Sequence, residues 1–514
     1  MKRTLSLLLI LGFTTGIMAQ KTEKRTPLAF DPNAGEERVL TMPDGYQVSY
    51  TAYERLFFVT NVEDSAYQTM NVYVPEGATQ HSPIFLRTYI GGYMEAAAGQ
   101  PQAGDATGRA LREGFVVAIP GSRGRKSTVT AQKNDKKRGI KKGEALYTGR
   151  APKALLDLKA AIRYLRLFDK EMPGDAEKIV TDGTSAGGAM SALMGATGNH
   201  PAYTSMLKDM GAADTRDDVF ASVCFCPITD LDHADMAYEW LFADTDSRQN
   251  ASQEVQAVSQ ELKSQYPDYL ESLRLTTPEG SLLHADNYLE YLKKELIRSA
   301  QIAKNAGADI PDSIGFVFSA DTGFGAPPVN GGMKIGKREA GGRRPGGGIP
   351  PFAMPGGAKR AGEYIIDLDM QKYLNYVVST QPLKTAPAFD TKDVAGQAPS
   401  AENEVFGDET GSSVNFTEYG CAKNGTALSK ELATNVRLMN PMYFIGDSQA
   451  AVAPHWYIRH GSRDRDTSFP VPLNLAMKLQ DSGKDVNFLL AWNRPHSGDY
   501  ALDELFQWLR SILE

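Results

Sequence analysis

The chain has 514 residues, of which 42% are hydrophobic and 23% charged, and its formal net charge is -7 at pH 7. A chain of this length and apolar content can bury a large core with more than one domain's worth of structure, so global disorder is excluded. The mild acidity argues against a nucleic-acid partner, because phosphate contacts require a basic face.

The first residues have the composition of a secretory signal. Lys2 and Arg3 form a charged start, residues 5–13 an apolar centre, and small residues lead to Ala19. We therefore predict a signal peptide over residues 1–19 and export to the periplasm or the medium. No later stretch is apolar for long enough to span a bilayer, so stable membrane insertion is not expected.

Residues 20–45 are polar and contain three prolines, which predicts a loosely ordered N-terminal segment. Residues 46–230 then alternate strand-like runs with amphipathic helices, a pattern typical of a mostly parallel sheet with helices on both faces. The strand-like runs lie at 47–60, 68–74, 83–90, 115–119, 177–180 and 220–227, and the clearest helix spans 154–168.

After residue 230 the pattern changes, because residues 253–273 and 287–304 resemble charged amphipathic helices with no strand between them. We predict an inserted lid or cap over residues 231–445. Within it, residues 321–362 are rich in Gly, Pro, Lys and Arg, which favours a flexible basic loop over a phosphate-binding loop. The sheet pattern resumes in residues 446–514.

The stretch from Thr181 to Gly188 reads T-D-G-T-S-A-G-G and places Ser185 in a G-x-S-x-G frame. A strand-like run precedes it, and residues 186–196, rich in Ala, Met and Leu, favour a helix after it. This context is typical of a nucleophile elbow, in which a serine occupies a strained turn between a strand and a helix. A glycine-rich turn with an incidental serine is the alternative.

A nucleophilic serine needs a histidine base, and the histidine needs a carboxylate to fix its tautomer. In an α/β-hydrolase the acid and then the histidine follow the serine, each on a loop after a strand. The last strand-like run leads to His496, and the run before it leads to Asp464 and Asp466. We predict Ser185, Asp464 and His496 as the triad, because Asp464 lies nearer the strand end. A surface role for His496 is the alternative.

Backbone N–H groups must stabilise the charge that forms on an attacked ester carbonyl. Ala186, directly after the serine, is one predicted donor. Gly91 and Gly92, which follow an early apolar strand, are the other candidates, with a plain turn as the alternative.

Other histidines and the cysteines receive simpler interpretations. His455 and His460 precede the acid and break the expected order, and His233 lies in a D-L-D-H-A-D run without a recognised metal-ligand spacing, so no metal is expected. The cysteines at 224 and 226 alternate along an apolar run, which favours buried thiols. A disulfide from one of them to Cys421 stays open.

Six motifs together resemble the bacterial tannases within the tannase and feruloyl esterase group. They are Y-I-G-G-Y-M-E, G-T-S-A-G-G-A, D-L-D-H-A-D-M-A-Y-E-W, L-K-T-A-P-A-F-D, A-E-N-E-V-F-G and R-H-G-S-R-D-R-D-T-S. The resemblance covers most of the chain, including the cap. It implies an α/β-hydrolase fold, with a mostly parallel central sheet flanked by helices and a large inserted lid, that hydrolyses galloyl esters without a cofactor.

The resemblance also implies the same triad and assigns Lys384, Glu402 and Asp466 to the phenolic hydroxyls of a gallate ring. Two carboxylates can accept from adjacent phenol O–H groups while an ammonium donates to a phenol oxygen. Ordinary surface charge is the alternative for Lys384 and Glu402, and Glu404 competes with Glu402.

The sequence departs from one subgroup of that family. Fungal tannases and many feruloyl esterases carry bridged cysteines where this chain has Thr184 and Ser497, so that subgroup is disfavoured. We expect an exported serine esterase acting on a small galloyl or phenolic ester. The alternatives are a feruloyl or general carboxylesterase or peptidase of the same fold, and a catalytically silent binding protein. Oligomeric state is not fixed by the sequence.

Overall fold

The computed structural model describes residues 27–134, 139–319 and 364–514. The predicted signal peptide at 1–19 and the whole of the predicted Gly/Pro-rich loop at 321–362 lie outside these ranges. None of the described helices is both long and apolar enough to cross a membrane.

Nine of the described strands form one sheet in the order β1-β2-β3-β5-β4-β8-β9-β12-β13. Strands β1 to β3 pair in antiparallel fashion, and the strands from β5 to β13 in that order run parallel to one another. The mostly parallel sheet predicted from the sequence is therefore confirmed. The strands are β1 (Glu36–Thr41), β2 (Gln47–Phe57), β3 (Thr69–Pro75), β4 (Pro83–Arg87), β5 (Val116–Pro120), β6 (Thr128–Thr130), β7 (Ala145–Tyr147), β8 (Asp175–Thr184), β9 (Ala221–Phe225), β10 (Phe316–Ser319), β11 (Tyr364–Leu368), β12 (His455–Gly461) and β13 (Asp485–Ala491).

Helices cover both faces of this sheet. One face packs on α2, α3 and α13 through residues such as Leu158 and Leu193, and the other packs on α1 and α14. Phe85, Phe115 and Phe506 meet edge to face or tilted on the second side, with ring centroids 5.7 to 6.3 Å apart. The helices are α1 (Ala106–Arg112), α2 (Lys153–Leu167), α3 (Ala186–Ala196), α4 (Thr204–Asp209), α5 (Leu231–Phe242), α6 (Asp246–Gln249), α7 (Gln253–Leu273), α8 (Tyr288–Asn305), α9 (Met370–Thr380), α10 (Ala401–Val405), α11 (Glu418–Lys423), α12 (Lys430–Leu438), α13 (Pro470–Asp481) and α14 (Leu502–Leu513), with short 3-10 turns at Pro201–Tyr203, Asp312–Ile314 and Pro441–Tyr443.

The N-terminal segment is more regular than its composition predicts. Residues 36–41 form the edge strand β1, which pairs with β2 in continuous register from Glu36 opposite Ala52 to Thr41 opposite Gln47. Arg38 on this strand binds Glu54 on the neighbouring strand at 2.7 Å. The backbone ladder explains the difference, because a polar strand can be held by its neighbour without burying side chains of its own. This part of residues 20–45 is therefore not the loose segment expected.

Between β9 and β12 the described chain adds no strand to the nine-stranded sheet. It forms helices α5 to α12 and a separate two-stranded sheet of β10 and β11. Helix α7 has the bounds predicted from the sequence, and α8 is shifted by one residue. The small sheet was not predicted, since each of its strands is short and finds its partner only across residues 320–363. The division into a core and an inserted cap stays a prediction.

The carboxyl ends of the parallel strands bring four loops to one edge of the sheet. In register, Gly461 at the end of β12 lies opposite Ala491 at the end of β13, and Thr184 at the end of β8 lies opposite Phe225. Loops after neighbouring parallel strands open into a common crevice, which is where such sheets bind ligands. The predicted triad residues and Ala186 follow the ends of β8, β12 and β13. Gly91 and Gly92 follow the end of β4, where Arg87 lies opposite Asp182 of β8.

Candidate active site

Ser185 occupies the single residue between β8 and α3. Its backbone has φ 62° and ψ -124°, a strained conformation for a residue with a side chain. The flanking glycines are required by packing: a Cβ on Gly183 would lie 2.3 Å from the Gly187 carbonyl oxygen, and one on Gly187 would lie 2.8 Å from that of Ile90. The turn therefore presents the serine hydroxyl at the start of α3.

Two further side chains form a hydrogen-bonded chain with this hydroxyl. His496 Nε2 lies 2.8 Å from Ser185 Oγ, and His496 Nδ1 lies 2.7 Å from Asp464 Oδ2. The other oxygen of Asp464 accepts the backbone N–H of Asp466 at 2.8 Å. The structure thus brings together the three residues predicted as the triad, although they come from loops up to 311 positions apart.

The charged forms of Asp464 and His496 stabilise one another. Burial disfavours the charged form of His496, but its hydrogen bond to Asp464 and the negative charge there outweigh this effect and raise the pKa of His496. Burial likewise opposes ionisation of Asp464, but the neighbouring imidazoles of His460 and His496 keep its pKa below the ordinary value. The arrangement favours a carboxylate beside an imidazole that can take up a proton.

Asp466, the second carboxylate of the same loop, lies in a different position. Its Oδ2 is 4.0 Å from His496 Nδ1, beyond hydrogen-bonding distance, and its Oδ1 binds Arg465 at 2.8 Å. Its side chain is 24% exposed, whereas that of Asp464 is fully buried. Asp466 is therefore partly exposed beside the histidine and is not its hydrogen-bond partner.

The N–H groups predicted to bind a carbonyl oxygen lie at the expected edge. Ala186 is the first residue of α3, and the turn after β4 carries Gly91 and Gly92. Gly92 has φ +54°, and its carbonyl accepts from Arg125 Nε at 2.8 Å. Because Gly187 packs against the carbonyl of Ile90, the glycine turn directly adjoins the serine turn.

Lys384 and Glu402 approach the same region from the chain between β9 and β12. The Lys384 ammonium lies 4.0 Å from the ring centroid of Phe389, and its positive charge acts, as a minor cause, to lower the pKa of His496. Glu402 is 7% exposed, and after burial its charge is the second cause that raises the pKa of Tyr93, the residue following Gly92. Both side chains are thus near the residues around Ser185.

Glu404, the competitor of Glu402, is already paired. Its carboxylate binds the guanidinium of Arg125 and lies 2.7 Å from Lys126 Nζ. These two cations lower the pKa of Glu404 against the opposing effect of burial. Glu402 is therefore the better candidate to receive a ligand hydroxyl.

Cys226, Cys224 and Cys421 are free and buried, which confirms the predicted buried thiols and leaves no disulfide among them. Sequence reasoning missed that the Cys226 thiol lies beside the triad. Its Sγ donates to the Ser497 carbonyl at 3.3 Å, and burial followed by the charge of Asp464 raises its pKa well above the ordinary value. The donor atoms of Cys226, Asp464 and His496 lie within 4.8 Å of one another. The only sequence signal was its position at the end of the strand after the elbow.

The Asp230, Asp232 and His233 group is also close enough to hold a metal. Asn440 Nδ2 donates to both carboxylates, at 2.7 and 2.6 Å, and the His233 ring stacks on Tyr269 with centroids 3.7 Å apart. These contacts make the cluster a hydrogen-bonded support of the start of α5. We assign it no role in the chemistry.

Comparisons with known proteins agree on one family. The chain is similar to the Fusobacterium nucleatum tannase (33% identity, TM-score 0.76, 95% of this chain and 100% of that chain covered). It is also similar to the tannin acyl hydrolase from Lactobacillus plantarum (32%, 0.76, 95% and 99%) and to a tannin acyl hydrolase solved in complex with ethyl gallate (32%, 0.77, 95% and 99%). A family model described as BD-FAE matches residues 145–272. Among curated proteins, none matches the chain.

The mostly parallel sheet, the serine between β8 and α3 and these likenesses define an α/β-hydrolase. Within that class, identity of 33% over 95% of its length places the chain in the bacterial tannase family. The protein is a tannase-like hydrolase.

Proposed function

We propose that the protein hydrolyses esters of gallic acid through an acyl-enzyme formed on Ser185. The proposal rests on the hydrogen bonds that join Ser185 Oγ to His496 and His496 to Asp464, at 2.8 and 2.7 Å. The protein is also similar to a tannin acyl hydrolase solved in complex with ethyl gallate. No metal or organic cofactor enters the reaction.

In the first half of the reaction, His496 Nε2 removes the proton of Ser185 as Oγ attacks the ester carbonyl. The charge on the carbonyl oxygen is stabilised by backbone N–H groups of Ala186 and of the Gly91–Gly92 turn. When the tetrahedral intermediate collapses, the bond to the alcohol oxygen breaks and His496 returns its proton to that oxygen. Asp464 holds the imidazole in the tautomer that accepts at Nε2.

In the second half, water replaces the alcohol. His496 takes a proton from the water, the water oxygen attacks the acyl carbon, and Ser185 leaves with the proton returned to its Oγ. The products are the free phenolic acid and the regenerated enzyme. The raised pKa of His496 suits this alternation between base and acid, because the histidine holds the proton more readily than a free imidazole does.

The acyl ring is recognised by three charged side chains in this proposal. Glu402 and Asp466 accept from phenol O–H groups, and Lys384 donates to a phenol oxygen. A gallate ring carries three hydroxyls, whereas a ferulate ring carries one hydroxyl and one methoxy group, so ferulate offers two donors fewer to these carboxylates. We therefore expect gallate to be preferred over ferulate.

The first test compares methyl gallate, methyl ferulate and p-nitrophenyl acetate as substrates, with Ser185→Ala as control. Methyl gallate should have the highest kcat/KM, and Ser185→Ala should abolish hydrolysis of all three esters. Preference for ferulate or acetate would reject the gallate assignment. Hydrolysis that survives in Ser185→Ala would reject the nucleophile.

Asp466→Asn separates ring recognition from chemistry. It removes a charged acceptor for the ring and leaves the Asp464 to His496 hydrogen bond in place, so kcat/KM for methyl gallate should fall about 10-fold or more while acetate hydrolysis changes little. A collapse of both activities would instead make Asp466 the acid partner of His496.

We also propose that the protein is exported from the cytoplasm. The charged start and apolar centre within residues 1–19 support cleavage of a signal peptide and action outside the cytoplasm. Fractionation of producing cells, with N-terminal sequencing of the active form, tests it. Full-length protein retained in the cytoplasm would reject export.

A further inference from the structure

A buried guanidinium connects three of the loops that form the candidate active site. Arg87 is the last residue of β4, four positions before Gly91, and it lies in register opposite Asp182 on β8, three positions before Ser185. Its Nη1 donates to Asp182 Oδ2, and Nη1 and Nη2 donate to the two oxygens of Asp499 at 2.9 and 2.8 Å.

Asp499 belongs to the loop that carries His496, three positions further along the chain. Asn493, Asp499 and Ala501 in this region all have positive φ, between 52° and 55°. A Cβ on Gly498 would lie 1.9 Å from Thr184 Oγ1, so the loop packs directly on the end of β8. A loop with such strained backbone keeps its conformation only when surrounding contacts hold it.

The chemistry of these contacts requires arginine. The planar guanidinium presents several N–H donors in a fixed geometry and can bind one carboxylate with two parallel hydrogen bonds while reaching a second, which a lysine ammonium cannot do. Arg87 is 6% exposed and Asp182 is fully buried, so water has little access to the contact between them, whereas Asp499 is 23% exposed. The Arg87 guanidinium also lies 5.2 Å from the ring centroid of Tyr89, a cation–π contact.

We propose that Arg87 is a positioning residue for the hydrolytic reaction: by binding Asp182 and Asp499 together it sets the placement of Ser185, His496 and the glycine turn relative to one another. The inference rests on the proposed triad. The inference extends beyond the triad, because Arg87 touches neither the substrate nor the reacting atoms. The same contacts also contribute to stability, so the test must separate the two effects.

Asp499→Asn is the informative variant. Asparagine tolerates positive φ and keeps one oxygen acceptor, so the loop can still fold, but it removes the charge and one of the two parallel hydrogen bonds. Arg87→Lys is the second variant, since it keeps the positive charge and loses the planar group that binds both carboxylates. Asp217→Asn is the control, because Asp217 also binds cationic side chains, Lys159 and Arg163 at 2.6 and 2.7 Å, near the amino end of β9 and away from the loops. Its side chain is 1% exposed and that of Asp499 is 23% exposed, so the control substitution removes a more deeply buried charge.

Three measurements are made on each variant: kcat and KM for p-nitrophenyl acetate and methyl gallate, the rate of labelling of Ser185 by a fluorophosphonate as a function of pH, and the thermal midpoint. We expect Asp499→Asn and Arg87→Lys to lower kcat and the labelling rate roughly 10- to 100-fold with KM little changed. The pH midpoint of labelling should also move down, because a displaced His496 loses part of its contact with Asp464. The titratable groups that face His496 are Asp464, Asp466, Lys384, Cys226 and His460.

A purely structural role predicts a different result. Activity would then fall only in proportion to the folded fraction, and the pH midpoint of labelling would not change. Asp217→Asn, at a similar thermal midpoint, would lose as much activity as the two test variants. That outcome overturns the proposal. A wild-type protein that is labelled but does not hydrolyse methyl gallate would reject the gallate assignment alone, and the labelling rates would still decide the role of Arg87.

Discussion

Ser185 and Asp464 bind opposite nitrogens of the His496 ring, and this arrangement sets the direction in which a proton can move. The ring is held by hydrogen bonds at both ends, so its reorientation during the reaction is restricted. Cys226 and Asp466 lie close by, but neither takes the place of the 2.7 Å contact to Asp464. The chemistry therefore depends on the protonation state of one imidazole.

That dependence gives a prediction for pH. Activity requires neutral His496, and its raised pKa means that the proton stays on the ring to a higher pH than in an ordinary histidine, whose pKa is about 6.5. We expect kcat/KM for methyl gallate to fall with decreasing pH through a midpoint above that value. Asp464→Asn removes the charge that raises the pKa and disturbs the tautomer, so the midpoint should move down and kcat should drop roughly 10³- to 10⁴-fold.

Asp466→Asn serves as the control in the same pH profiles. Its charge also raises the pKa of His496 but through no hydrogen bond, so it should produce a smaller downward shift and retain acetate hydrolysis. An acid limb that is unchanged in Asp464→Asn would contradict the assignment of Asp464 as the partner of the histidine.

At the scale of elements, the junction of β8 and α3 leaves no room for side chains beside Ser185. A Cβ on Gly183 would meet the backbone oxygen of Gly187 at 2.3 Å, and backbone cannot move aside without opening the turn. The short distance explains why the motif needs glycine on both sides of the serine. It also means that the geometry of the nucleophile can be changed without touching any charged residue.

We expect Gly183→Ala to destabilise the fold by about 1–3 kcal/mol and to slow fluorophosphonate labelling of Ser185 by more than the folded fraction accounts for. Gly104→Ala is the control, because a Cβ at Gly104 meets nothing within 4 Å. Urea unfolding and labelling rates measure the two effects. Normal labelling in a folded Gly183→Ala protein would show that the turn tolerates a wider geometry than its packing indicates.

The elements also show which features a sequence can reveal. The elbow and α7 were predicted because their signals are local: a glycine pattern between a strand and a helix, and apolar residues at helical spacing. Asp464 and His496 were found through chain order and strand ends. Strand β1 was not predicted because its residues are polar and mostly exposed, and its backbone pairing with β2 leaves no apolar pattern in the sequence. The Arg87 contacts were not predicted because their partners lie far along the chain, at separations of 95 and 412 positions. No local pattern encodes such pairings.

At the scale of the whole molecule, the chain between β9 and β12 is organised by two buried carboxylates. Asp235 on α5 accepts the backbone N–H groups of Ala388 and Phe389, each at 2.7 Å, and of Asp390 at 3.1 Å. Asp390 in turn accepts five hydrogen bonds from the side chains of Asn403, Asn415 and Thr417 and from the backbone of Phe416 and Thr417. These contacts link the segment of Lys384 to the helix of Glu402.

This organisation predicts that Asp390 supports ring recognition from a distance. Asp390→Asn replaces one acceptor oxygen with an NH₂ group that faces existing donors, and each buried donor left unsatisfied costs about 1–3 kcal/mol. We expect a lower urea midpoint and a higher KM for methyl gallate, because α10 and Glu402 lose their anchor. Hydrolysis of p-nitrophenyl acetate by the folded fraction should change little, since Ser185, His496 and Asp464 lie on other loops.

Asp393→Asn is the control, because the side chain of Asp393 is 48% exposed. Equal KM values for methyl gallate in the two variants would mean that Asp390 contributes to stability alone and that Glu402 is placed by other contacts.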